Sequence, residues 1–297
     1  LANGAEGYVP PPELYCFGGY NTWPARTAGL EPAAEPRITE ALLKLLEGLA
    51  DRSRRPLPIC AGPYVDAVRA SGPEAYWPMD TLTGTTCADL SGNGHVARCE
   101  PGVAFFLEGP SLKETGHPDG ICRALQCAGG RVAASIPVPG DAYSVELWFW
   151  NGLPSDARAM TGYIVSRGRD REPGAPGEHL GIGGTDAGGQ ALGRLIAYNG
   201  DTKGTLLAGA TELEPKRWYH VAYVRQGLDI AVYLDGNATP EIAGTLEPGC
   251  SPDIAGLWMG GRSDALFGLE GRLCHAAVFG RALTPAEIAS HYRAAMA

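Results

Sequence analysis

Tyr143-Ser-Val-Glu-Leu-Trp-Phe-Trp150 alternates two faces without a break. Tyr143, Val145, Leu147 and Phe149 form one face; Ser144, Glu146, Trp148 and Trp150 form the other. Successive side chains of a β-strand point to opposite sides of the sheet, so this stretch reads as a strand with one face in a core. Further short apolar runs follow at residues 162–167, 179–183, 194–199, 254–259 and 272–279. Residues 218–225 and 228–234 form a hairpin joined near Gln226-Gly227, and Asp235-Gly236-Asn237 is a turn. Apolar runs recurring roughly every 10 to 20 residues, with glycine between them, predict an all-β antiparallel sandwich.

Composition agrees. Glycine (42) and proline (24) make up about a fifth of the 297 residues, above the roughly 12% of an average chain. Apolar residues are 44% and charged residues only 19%, which excludes a tail disordered by charge and an Ala/Glu/Lys/Leu-rich coiled coil. No apolar run approaches the roughly 18 residues needed to span a bilayer. With 24 basic against 33 acidic side chains the net charge is −9, which gives no electrostatic footprint for nucleic acid.

Two regions differ in character. Residues 1–34 carry Pro10-Pro11-Pro12 and read as an irregular arm. Ile38, Leu42, Leu45, Leu46 and Leu49 then form one stripe of an amphipathic helix, with Pro36 in its first turn and Arg52, Arg54 and Arg55 at its end. Arg-Arg-Pro-Leu-Pro, residues 54–58, breaks regular structure, so the arm and helix are assigned to residues 1–60. Residues 64–71 form a short helix before the strands begin. At the far end Thr284-Pro285-Ala286-Glu287 is a capping box that opens a short C-terminal helix.

Eight cysteines (16, 60, 87, 99, 122, 127, 250 and 274) lie at wide, irregular spacing. The even count suits disulfides in an exported protein; the absence of a C-x2-C pair argues against zinc. The start at Leu1, without Met, is in keeping with a processed, exported chain.

Six segments in order carry a family resemblance. They are Ala75-Tyr-Trp-Pro-Met-Asp80, Gly84-Thr-Thr-Cys-Ala-Asp-Leu-Ser-Gly-Asn-Gly94, Tyr143-Ser-Val-Glu-Leu-Trp148, Trp218-Tyr-His-Val-Ala222, Val232-Tyr-Leu-Asp-Gly236 and the closing stretch from Gly271 to Ile288. Together they resemble the laminin-G-like, concanavalin A-like jelly-roll domains of bacterial surface proteins and phage tails, over residues 63–297. The resemblance implies two antiparallel sheets of six or seven strands, with residues 75–79 beside the last strand. It places Trp218 in the core and gives His220 a structural role. Such domains often hold a calcium ion at the Asp89-to-Gly94 loop, which would make Asp89 and Asn93 its ligands. Here Cys274-His275 replaces the acidic pair of the last strand, which removes two oxygen donors, and the alternative is a turn in which Asp89 and Asn93 bond local amides.

Catalytic patterns are missing. Retaining glycoside hydrolysis needs two carboxylates about 5 Å apart, and Glu146 is the only acid on its strand. Neither Gly-x-Ser-x-Gly nor His-Glu-x-x-His occurs, and the glycine-rich residues 181–189 precede a strand rather than a helix. Carbohydrate recognition needs aromatic faces beside polar groups, which Glu146, Trp148 and Trp150 offer on one strand face. Trp23, Tyr198, Trp258 and Phe267 are further aromatic candidates near loops. The sequence therefore predicts a non-catalytic recognition module of a secreted or cell-surface bacterial protein. Its location would be extracellular, periplasmic or on the cell surface, and its partner a glycan or a protein. The alternative is a structural subunit of a surface complex or phage particle, forming homo- or hetero-oligomers through residues 1–60.

Overall fold

Strands alternate with tight glycine turns from residue 75 onward, and the computed structural model pairs them into two antiparallel sheets. It describes residues 7–17, 22, 29–50, 60–82, 84–117, 119–137, 141–200, 206–251 and 254–296. Two compact units are present, Leu1–Leu57 and Pro58–Ala297.

The first unit holds a 3-10 turn at Pro12–Phe17 and the helix α1, Ala34–Ala50. The stripe read from the sequence lies on α1, and its side chains are exposed, from 43% at Ile38 to 85% at Leu49. Arg52, Arg54 and Arg55 lie outside the described residues.

The second unit begins with α2 (Pro63–Ala70) and continues through β1 (Ala75–Trp77), β2 (Thr86–Cys87), β3 (Ala97–Cys99), β4 (Val103–Glu108), β5 (Arg123–Cys127) and β6 (Val132–Ser135). The longer strands follow: β7 (Ala142–Asn151), β8 (Met160–Gly168), β9 (Gly177–Gly183), β10 (Arg194–Tyr198), β11 (Leu206–Glu212), β12 (Trp218–Gln226) and β13 (Asp229–Leu234). The series ends with β14 (Ile242–Thr245), β15 (Gly256–Met259), β16 (Gly271–Phe279) and α3 (Pro285–Met296).

One sheet runs β14-β13-β12-β7-β16-β5-β4, with β1 also paired to β16; the other runs β11-β10-β9-β8-β15-β6-β3-β2. Among the described residues each sheet has eight strands, against the six or seven that the resemblance implied. As it also implied, β1 lies against the last strand, with Tyr76 opposite Ala277. Between the sheets the inward face of β7 meets Ile164, Leu180, Leu257 and Met259 in one buried cluster. A charged group is sealed there too: Glu178 of β9 binds Arg225 of β12 at 2.7 Å and Arg167 of β8 at 3.2 Å. It joins strands of both sheets, and buried charges survive only when paired in this way.

The helix α3 starts at the expected capping box: the Glu287 amide donates to Thr284 Oγ1 at 3.3 Å, and Thr284 N donates back to Glu287 at 2.9 Å. A Cβ on Gly236 would stand 2.5 Å from Tyr292 Cβ, so glycine is what lets α3 lie this close to the turn after β13. Among the described residues no helix is long and apolar enough to cross a membrane.

Cys60, Cys87, Cys99, Cys122, Cys127 and Cys274 carry no disulfide, so among these described residues the expected disulfide framework is not found. All six are buried as small apolar side chains; Cys87 and Cys99 stand 3.6 Å apart across β2 and β3 without a disulfide.

Candidate functional site

The outward face of the β7 sheet carries the candidate residues read from the sequence on that strand. Along β7 this face presents Ser144, Glu146, Trp148 and Trp150, and their surroundings change abruptly. The first three are buried; Trp150 is half-buried.

Glu146 and Trp148 are sealed under α2 and α3, which corrects the expectation that they face a ligand. Glu146 is fully buried and shared by three elements. Its Oε1 accepts from Tyr64 Oη of α2 at 3.1 Å and lies 3.0 Å from His220 Nε2 of β12. Its Oε2 lies 2.8 Å from His291 Nδ1 of α3, and His291 Nε2 is 2.8 Å from Ser71 Oγ at the end of α2. Burial acts to raise the Glu146 carboxyl, but the charge and hydrogen bonds of His220 and His291 outweigh it and hold the group down at about 2. Trp148 stacks on Tyr292 of α3, with ring centroids 5.7 Å apart. Ser71, His291 and Glu146 thus stand in the order of an acyl-transfer relay. The same bonds clamp both helices to the sheet, and His220 takes part in that clamp.

Two residues further along β7 the cover ends. Register places Trp218 of β12, Trp150 of β7, Arg272 of β16, Gln126 of β5 and Ala104 of β4 directly opposite one another in turn. Side chains paired in this way share a face, so these residues form one row across five strands. At roughly 4.8 Å per strand, the part from Trp218 to Gln126 spans about 14 Å. All four of these side chains are half-buried, and Ala104 is exposed. The Arg272 guanidinium lies 4.9 Å from the Trp150 ring centroid, donates through Nη1 to Glu108 O at 2.9 Å and through Nε to Gln126 Oε1 at 3.3 Å. The row offers two indole surfaces and fixed polar groups in one line. Trp218, placed in the core by the resemblance, is half-buried and packed against the core cluster.

Asp89 and Asn93 lie in the loop between β2 and β3. Asp89 Oδ1 accepts from the amides of Tyr76 (2.9 Å) and Ser91 (2.8 Å); Oδ2 accepts from Ser91 Oγ (2.8 Å) and the His95 amide (2.9 Å). Burial works to raise this carboxyl and those donors lower it on balance. Four donors fill the acceptor sites of one carboxylate, and Asn93 Nδ2 is turned onto Glu74 O at 2.9 Å. The donor set therefore leaves no carboxylate oxygen free for a hard cation, and it does not fit calcium as it stands.

Of the other aromatic candidates, Trp258 is buried, while Tyr198 and Phe267 are half-buried, Phe267 beneath the Arg262 guanidinium. Trp23 lies outside the described residues. Arg272 and Gln126 escaped the sequence reading because nothing local marks them; only the strand register brings them beside Trp150. Cys60, Cys122, Cys274 and His275 also converge, on the same sheet face, although 62 residues separate the first two.

A family model of the concanavalin A-like lectin/glucanases superfamily, laminin G-like, matches residues 128–289, more than half of the chain. No curated protein matches the sequence. Among solved structures, domain 4 of the extracellular arabinanase AbnA from Geobacillus stearothermophilus, in complex with arabinotriose, is similar with a TM-score of 0.53. Its identity is 17%, over 74% of this chain and 98% of that one. The receptor-binding domain of botulinum neurotoxin type G gives a TM-score of 0.51 at 12% identity, over 75% of this chain and 51% of that one. The Trypanosoma rangeli sialidase gives 0.53 at 15% identity, over 75% of this chain and 32% of that one. The chain thus spans about half of the toxin domain and a third of the sialidase. At these identities the likeness is one of fold.

Proposed function

The chain belongs to the concanavalin A-like lectin/glucanase superfamily, and from that premise we propose that it is a non-catalytic recognition module that binds carbohydrate along the row Trp218–Trp150–Arg272–Gln126. The observation that carries this reading is the row itself. Indole faces bury the apolar side of a sugar ring, and a guanidinium and an amide at fixed distances orient its hydroxyls. Arg272 is already held by Glu108 O and Gln126, so ordering it on binding costs little. The arabinanase domain was solved with arabinotriose, which makes arabino-oligosaccharides the first ligands to try. The Ser71–His291–Glu146 chain acts in this reading as a lock for α2 and α3. Export and display at the cell surface of a bacterium follow as part of the same proposal.

The test is a glycan array followed by calorimetry on the wild type, Trp150→Ala and Trp218→Ala. A hit whose affinity falls at least tenfold in Trp150→Ala, with the melting temperature nearly unchanged, supports the row. No hit for the wild type, or equal affinity in the variant, overturns it. A hydrolysis product released from any bound glycan would overturn the non-catalytic part.

One observation favours the second reading, a subunit that docks through residues 1–60. Leu42, Leu45, Leu46 and Leu49 of α1 are 55%, 65%, 60% and 85% exposed, a contiguous apolar stripe of the kind that marks interaction sites. Light scattering of the wild type against the double variant Leu45→Glu, Leu49→Glu checks it. An oligomer that becomes monomeric supports docking; a monomer in both cases removes self-assembly.

A further inference from the structure

The last strand carries a backbone irregularity in its middle. Residues 274 and 275 of a regular strand would point to opposite faces. Here β16 breaks register between Cys274 and Ala277, and His275 takes φ of 53°, a left-handed conformation that costs a non-glycine residue free energy. The result is that His275 and Cys274 turn to the same side. Strain of this kind persists only where the surroundings hold it, and it gathers at functional positions.

Three further groups meet this pair. Cys122, just before β5, has its Sγ 3.4 Å from His275 Nε2, and Cys60, just before α2, has its Sγ 4.0 Å from the same nitrogen. The donor atoms of Cys122, Cys274 and His275 all lie within 4.8 Å of one another. All four residues are buried. On the far side of the ring, His275 Nδ1 is 2.7 Å from Tyr76 Oη. The segment bearing Cys60 is fastened in turn: Ala61 N donates to Thr115 O at 3.4 Å, and Gly62, at φ 124°, passes so near Glu114 O that a Cβ would stand 2.2 Å from it.

We infer that Cys60, Cys122, Cys274 and His275 form a tetrahedral Cys3His site for a structural zinc ion. Metal–sulfur bonds of about 2.3 Å and metal–nitrogen bonds of about 2.0–2.1 Å make tetrahedral edges of about 3.8 Å between sulfurs and about 3.6 Å between sulfur and nitrogen. The observed 3.4 and 4.0 Å bracket the second value. Thiolate and imidazole donors select zinc over calcium or magnesium. Metal on Nε2 leaves the proton on Nδ1, which donates to Tyr76 Oη, the outer partner that ligating histidines ordinarily have. Binding sends the thiol protons to solvent. The ion would pin the chain before α2 to β5 and β16, three segments far apart in sequence. This inference does not depend on carbohydrate binding, and either can fail alone.

The full chain, purified without chelator, is assayed for metal by mass spectrometry and for thiols after denaturation. About one zinc per chain with Cys60, Cys122 and Cys274 all reduced is expected. Cobalt(II) added to stripped protein then gives the visible absorption of a tetrahedral thiolate complex. Cys60→Ser and His275→Ala weaken zinc binding at least tenfold, Tyr76→Phe about tenfold, and Cys250→Ser leaves it unchanged. Wild-type protein needs no variant to fold for the test to decide. No zinc and no cobalt spectrum, a disulfide between Cys122 and Cys274, or zinc retained in Cys60→Ser and His275→Ala alike would each overturn the site.

Discussion

Glu146 and Trp150 stand on the same strand, on the same face, four residues apart, yet they live in opposite conditions. Glu146 is enclosed between Tyr64, His220 and His291, while Trp150 lies half-open beside Arg272. Strand periodicity decides which face a side chain joins; what covers that face comes from elements far away in sequence. Here the cover is α2 and α3, one from each end of the sandwich unit, brought together because β1 pairs with β16. One sheet face thus serves as a second core at one end and as an open row at the other.

The largest effect expected from breaking the covered half comes from Glu146→Ala. It removes the shared carboxylate and leaves His220, His291 and Tyr64 without their common partner, and breaking a buried ion pair in this way costs about 3–5 kcal/mol. Urea unfolding should show that loss with the slope of the transition unchanged. A cost below about 1 kcal/mol would mean that α2 and α3 are held by packing alone. The same measurement on Trp150→Ala should show a much smaller change, since a half-buried ring leaves no sealed cavity.

The contrast also explains how much the sequence discloses. The long strands β7, β12, β13 and β16 were legible because each alternates or runs apolar over many residues, and α3 announced itself by its capping box. The strands β2, β3 and β6 went unread: at two to four residues they are too short for any period to show. β4, Val103–Glu108, also went unread: Val-Ala-Phe-Phe-Leu is apolar but does not alternate, so it shows no strand period. In the site, Trp150 was legible as an aromatic on a polar face. Arg272 and Gln126 were not, because their place beside it is a matter of register. Glu146 and Trp148 were misassigned for the same reason that α2 and α3 could not be docked from sequence. Polar residues on a strand usually face water, and here Glu146 faces Tyr64 of α2 and His291 of α3 beside His220 of the neighbouring strand.

A smaller and subtler effect is expected from pH. In the unfolded chain a glutamate titrates near 4.3, whereas Glu146 in the fold is held at about 2. Between those values the unfolded state binds the extra proton, so lowering the pH favours unfolding. The stabilisation is complete above about pH 4.5 and drains away as pH falls toward 2, by up to about 1.4 kcal/mol per unit. Other carboxyls contribute as well: Glu287 is held at about 2, first by its hydrogen bond from Arg281, and Asp89 and Asp264 are lowered by their own donors. The difference between wild type and Glu146→Gln isolates the buried group, because the glutamine cannot titrate while the other carboxyls still do. Melting curves from pH 5 to 2.5 should therefore converge, with the wild type losing its advantage steadily as the medium becomes acid. Parallel curves would show that Glu146 is not held as an anion by His220 and His291, and the covered end of the sheet would then be an apolar seal rather than an ionic one.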